Sequence, residues 1–142
     1  MSTLIHQFVE ECRSGKLERC IAKMPSGWAV LGDPQVIPGY CLLYPDPVVS
    51  DLNALEGDSR RQFLEDMAHL GDAVLAVTGA LIVNYDILGN VEPALHAHVI
   101  PRIASEPEEL RSKPVWFYDW SAAAPFNTQI HKGLMSEIRA KL

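Results

Sequence analysis

The sequence predicts a single α+β domain, built as an antiparallel β-sheet meander with a long central helix and a C-terminal helix. Three observations predict it. Residues 59–78 read as a long helix, with Phe63, Met67, Val74, Val77 and Leu81 on or near one face. Five short segments rich in apolar residues are each bounded by proline or glycine. A last run, Ile130, Leu134, Ile138 and Leu142, follows a capping Asn127. No Pro/Gly/Ser linker, repeat or low-complexity block divides the 142 residues, so one domain over 1–142 is expected.

Taken in order, Leu4, Ile5, Phe8, Val9 and Cys12 read as one face of a short helix, with Thr3 as N-cap and Ser14-Gly15 as its stop. Arg19–Lys23 and Trp28–Leu31 flank Pro25-Ser26-Gly27, a hairpin pattern. Gly32-Asp33-Pro34 makes a second turn. Tyr40–Tyr44 reads as a buried strand stopped by Pro45 and Pro47. The spacing of Ser59 and Gln62 predicts a capping box at the start of the long helix, and Gly79 its stop. Leu81–Tyr85 and Leu95–Ile100 read as strands, the second ended by Pro101, and 104–125 as irregular.

Composition narrows the function. Hydrophobic residues at 48% supply a core, and a net charge of −6 argues against a broad basic surface for a nucleic-acid polymer. One pocket can still hold a phosphate with a few local donors. Cys12, Cys20 and Cys41 are odd in number and not closely paired, so three reduced thiols are expected, with neither a disulfide framework nor a Cys-x-x-Cys zinc site. The N-terminal residues show no signal-peptide pattern and no apolar run approaches a membrane span, which leads to the expectation of a cytoplasmic protein.

The chemistry concentrates in residues 84–102. His96 and His98 lie two apart in a strand, so both face one way, with Cα atoms roughly 6.5 Å apart. Such a pair can be polar residues on a wet sheet face, half of a metal site, or a nucleophile with a neighbouring donor. His6, His69 and His131 carry no motif and read as helix-surface residues.

The surrounding residues resemble the histidine-triad (HIT) superfamily, whose motif is His-φ-His-φ-His-φ-φ with φ apolar. Its bacterial branch often carries an Asn-Tyr-x-x-Leu-Gly-Asn-x-x-Pro run before the motif and Pro-Arg after it. Here these are Asn84-Tyr85 through Leu88-Gly89-Asn90 to Pro93, and Pro101-Arg102. Pro38-Gly39-Tyr40-Cys41-Leu42-Leu43-Tyr44-Pro45 is similar to the family's upstream Pro-Gly strand. The resemblance runs from about residue 18 to about 102, leaving 103–142 as a C-terminal extension. The first triad position is Ala94.

The resemblance implies a HIT-like fold and an enzyme, a nucleotide hydrolase or nucleotidyl transferase. His96 would attack the α-phosphorus of a dinucleoside polyphosphate or nucleoside phosphoramidate, giving a covalent nucleotidyl-histidine, with the Ala94 carbonyl orienting its ring. His98 would donate to a phosphate oxygen. Asn84 and Asn90 would contact phosphate or leaving group, or else serve as a strand end and a loop residue. Arg102 reads equally as a phosphate clamp or a surface ion pair. A nucleoside pocket would involve Val30, Gly32, Asp33 and Leu42, although core packing explains Val30 and Leu42 as well. No cofactor and no resident metal are implied; a divalent cation can ride on the substrate phosphates. A homodimer is implied, with no membrane partner. The alternative reading is a nucleotide-binding module that lost catalysis with the first histidine. The dense aromatic run 114–120 either packs over its own sheet or reaches across a dimer.

Overall fold

The computed structural model describes residues 2–142. Helix α1 (Leu4–Arg13) begins where Thr3 accepts a hydrogen bond from the His6 N–H and His6 bonds back to Thr3, a reciprocal cap. Strands β1 (Cys20–Met24), β2 (Gly27–Leu31) and β3 (Cys41–Pro45) follow as an antiparallel run. Helix α2 (Gly57–Thr78) then crosses the sheet and ends on Gly79 in a left-handed conformation. The chain returns as β4 (Ile82–Ile87) on the outer edge and β5 (Ala97–Arg102) between β3 and β4, giving the order β1-β2-β3-β5-β4. A short α3 (Glu108–Arg111), two 3-10 turns (Val115–Phe117 and Trp120–Ala122) and α4 (Thr128–Ala140) complete it.

Strand alternation sorts the core into two layers. Ala29, Leu31, Cys41, Leu43, Ala97 and Val99 face α2 and α4, meeting Phe63, Leu70, Val74, Met135 and Ile138. Val30, Leu42, Tyr44 and Ile100 face the other way, against Ile5, Val9 and Cys12 of α1. That second face carries the histidines, and Trp116 of the C-terminal segment meets His98 there. Cys12, Cys20 and Cys41 are free thiols.

Four local expectations change. Ser59 and Gln62 form no capping box: α2 starts earlier, at Gly57, and its N-cap Glu56 makes no side-chain bond. Gln62 instead donates to Asp66, which accepts from the Ser26 N–H. Pro101 does not end the last strand but lies inside β5. The β3 ladder covers only residues 97–99, so the missing N–H of Pro101 leaves no ladder bond unmade. Leu81 lies outside the helix and is exposed. Ile130 is exposed too, because the C-terminal half of α4, through Met135 and Ile138, makes the buried contact.

Candidate active site

Residue spacing along β5 builds the site. His98 pairs with Leu42 of β3 and Asp86 of β4, so the three side chains share a face. His96 lies just ahead of β5 on that face, its ring centroid 4.9 Å from that of His98 at an interplanar angle of 74°. Both rings are nearly enclosed, with 7% and 9% exposure.

Their hydrogen bonds differ. His96 Nδ1 lies 2.7 Å from the Ala94 carbonyl oxygen. A carbonyl only accepts, so Nδ1 carries the proton, and in the neutral ring Nε2 keeps its lone pair. His98 Nδ1 lies 2.8 Å from the Tyr40 hydroxyl. Burial, and the neighbouring His96, push the His98 pKa down to about 4. Burial raises that of Tyr40, so its hydroxyl stays protonated. In the tautomer where Tyr40 donates to Nδ1, the His98 proton resides on Nε2 and can be donated.

Ala94 is 1% exposed and packs in the cluster with Ile5 and Val9 of α1.

The remaining candidates separate. Asn84 lies on the histidine face, and its Oδ1 accepts from Arg102 Nη1 at 2.9 Å. Arg102 is neither a free phosphate clamp nor a surface ion pair. It is buried within β5 and bonds both carboxylate oxygens of Glu106. Burial pushes the Glu106 carboxyl up, but donors from Arg102, Tyr118 and the Ile103 N–H outweigh it and hold it below the usual range. Asn90 is exposed on the β4–β5 loop. Val30 and Leu42 are buried under α1. Gly32 lies against the Tyr40 ring, where a Cβ would come within 2.2 Å of it. Asp33 is exposed and accepts from the Phe126 N–H at 2.9 Å. The structure therefore brings His96, His98 and Asn84 to one face, while Val30, Gly32 and Leu42 form packed wall and Asp33 fastens the C-terminal segment.

The structure adds three neighbours to the histidine pair. Tyr40, of the Pro38-Gly39-Tyr40 run, reaches His98 from just ahead of β3. Asp86 sits two residues after Asn84, so strand alternation alone could have placed it on the same face. Trp116 arrives from the extension, packing over its own sheet: its ring meets His98 edge-on at 4.8 Å. Among the described residues no group of three or more His, Cys, Asp or Glu side chains is arranged to hold a metal ion.

Comparison with known proteins bears on the fold and the family. Residues 18–105 match the HIT domain family. A histidine triad (HIT) protein from Sinorhizobium meliloti 1021 is 24% identical, with 90% of this chain and 94% of that one covered and a TM-score of 0.75. A hypothetical histidine triad nucleotide-binding protein from Sulfolobus tokodaii strain7 is 16% identical over 95% and 90%, with a TM-score of 0.73. A Zn-bound histidine triad family protein from Mycobacterium smegmatis is 16% identical over 99% and 95%, with a TM-score of 0.70. At these identities the likeness is one of fold. Comparison with curated proteins gives no match. The five-stranded α+β architecture and the paired strand histidines define a histidine-triad type of protein. The chain belongs to the HIT family.

Proposed function

We propose that the chain hydrolyses or transfers a nucleotidyl group at the α-phosphate of a dinucleoside polyphosphate or nucleoside phosphoramidate. The observation that carries this reading is the His96 Nδ1–Ala94 carbonyl bond, which leaves Nε2 as the free lone pair. In the first step a P–N bond forms to His96 Nε2 and the bond from phosphorus to the leaving group breaks, the leaving group taking a proton from solvent. Water then attacks phosphorus, the P–N bond breaks, and a nucleoside monophosphate departs. His98 Nε2–H supports the charge on a non-bridging oxygen in both steps. Asn84, held by Arg102, offers its amide N–H groups to the phosphate side. Asn90 serves the leaving-group side, where the loop is open. Val30, Gly32, Asp33 and Leu42 are kept as the proposed nucleoside wall, with Asp33 its exposed member. No resident cofactor enters the scheme, and a divalent cation carried on the substrate phosphates is compatible with it. The working unit is proposed to be a homodimer.

The test is incubation with diadenosine polyphosphates and with adenosine phosphoramidates. Turnover with a nucleotidyl adduct on His96 by mass spectrometry is expected, and His96→Ala should lower the rate by at least about 1,000-fold. Absence of turnover, unchanged in His96→Ala, overturns the enzymatic reading. The second reading, a nucleotide-binding module without efficient chemistry, is favoured by the packed Ala94, which supplies no imidazole to the leaving group. Calorimetric binding of a nucleoside monophosphate with no product formed from any substrate would select it.

A further inference from the structure

The enclosure of His96 and His98 needs a cause, because a nucleotide cannot reach rings this buried. Clefts of about 370 and 320 Å³ lie elsewhere, one between the Ser26 turn and the start of α2, the other beside His6 and Pro93. Trp116 lies directly on His98, and His96 stands beside His98 at a centroid distance of 4.9 Å. The Trp116 ring meets His98 edge-on and stacks on Trp120 at 5.1 Å. Trp120 in turn meets Tyr40 edge-on at 5.7 Å. The Trp116 Nε1–H donates to Asp86 Oδ2 at 3.0 Å.

Val115 just before Trp116 and Tyr118 two residues after it are fixed more firmly. Val115 is buried, and the Tyr118 hydroxyl donates to the buried Glu106 at 2.6 Å. Trp116 itself is 39% exposed, and its side chain makes the single hydrogen bond to Asp86. It is the part of the extension that can leave its place without unpacking the rest, since partly exposed side chains change rotamer readily.

The structure assigns a gate built into this chain: Trp116, latched by Asp86, closes the approach to His96 and His98, and a nucleotide reaches them when that side chain swings away. The consequence for nucleotides rests on the function proposed above, while the closure itself does not. Asp86 is here a positioning residue, acting on access through Trp116. If the open state is a fraction of the population, apparent affinity falls by that fraction. Removing one partly exposed hydrogen bond should raise the open fraction between several-fold and roughly tenfold.

Diethylpyrocarbonate modification of the full chain, read residue by residue by mass spectrometry, tests the gate. Exposed His69 is the internal reference. His96 should react at least about tenfold more slowly than His69 in the unaltered chain, by the same population argument. Trp116→Phe, which keeps an aromatic ring but loses the pyrrole part of the indole with its N–H, and Asp86→Ala, which removes the acceptor and leaves the indole whole, should each speed His96 several-fold and leave His69 unchanged. Adenosine monophosphate should bind these variants tighter by a similar factor in calorimetry. His96 reacting as fast as His69 in the unaltered chain, or unchanged rates in both variants, overturns the gate. If thermal unfolding shows that Asp86→Ala does not fold, Trp116→Phe decides alone. Faster modification with no nucleotide binding in any variant upholds the gate and counts against the nucleotide reading. Binding with unchanged modification does the reverse.

Discussion

His96 and His98 share a face, yet their Nδ1 atoms meet different partners, the Ala94 carbonyl and the Tyr40 hydroxyl. His98 is the clearer test. Its pKa falls from 6.5 to about 4, mainly through burial. Between those values the unfolded chain binds a proton that the folded chain does not, so stability rises with pH in that window. The contribution is present above about pH 6.5 and is lost as pH falls toward 4, amounting to up to about 3 kcal/mol. Urea midpoints from pH 7 to pH 4 should show the loss, and His98→Gln should flatten it; an equally steep fall in the variant would remove His98 as the cause. A second residue-scale expectation concerns Glu106. Removing its charge with Glu106→Gln leaves the Arg102 cation buried without its counter-ion, at a cost of about 3–5 kcal/mol by equilibrium unfolding. At this scale the pair of histidines was legible because strand spacing alone puts them on one face. Arg102 was not, because its partner lies beyond the end of the strand, across a turn whose path the spacing does not encode. Asp86 was missed although its register position was readable, since no motif marked it.

Elements were legible where a periodic face or a turn residue fixed them. The Phe63 and Val74 spacing, the Gly79 stop and the Asn127 cap all appear where the pattern placed them. Element ends were less so, because they depend on tertiary partners: Gln62 is drawn to Asp66, and Pro101 is tolerated because β3 has already stopped pairing. The β1–β2 hairpin shows the same dependence. Gly27 was read as part of a turn, but it opens β2, where an added Cβ would come within 1.8 Å of the Tyr44 carbonyl oxygen on β3. That neighbour is backbone and cannot rotate aside. Gly27→Ala should therefore destabilise by about 1–3 kcal/mol through overpacking. Gly89→Ala, with open space around its Cβ, should change little. Chemical denaturation of the two variants makes the comparison, and equal effects would show that the hairpin yields where the backbone contact says it cannot. At the core, Phe63→Ala should cost about 3–5 kcal/mol, since α2 meets the sheet there with no exposed surface left to collapse.

At the scale of the whole molecule the two sheet edges are treated differently. On β1, Arg139 of α4 donates its Nε–H to the Ile21 carbonyl, so the helix covers that edge. On β4 the outer side is unpaired, and Leu81, Ile82, Tyr85 and Leu88 stand exposed along and beyond it, with Leu75 of α2 exposed as well. An open edge carrying apolar side chains is a template for another strand, and single chains ordinarily blunt it with charge or proline. An antiparallel pairing of β4 with β4 of a second copy satisfies the free backbone groups and buries the same side chains on both sides, as a two-fold interface requires. Such a contact needs to bury roughly 1,000 Å² to persist, within reach of an edge strand joined to a helix face. The proposed homodimer is accordingly expected to use this edge. Light scattering should return twice the 15.7 kDa chain mass. Ile82→Lys, with Ile82 at 59% exposure and its side chain outside the core, should shift the protein to a monomer without lowering its unfolding temperature more than a dimer's loss entails. A monomer in the unaltered chain would remove the homodimer. A dimer that survives Ile82→Lys would place the interface on another face.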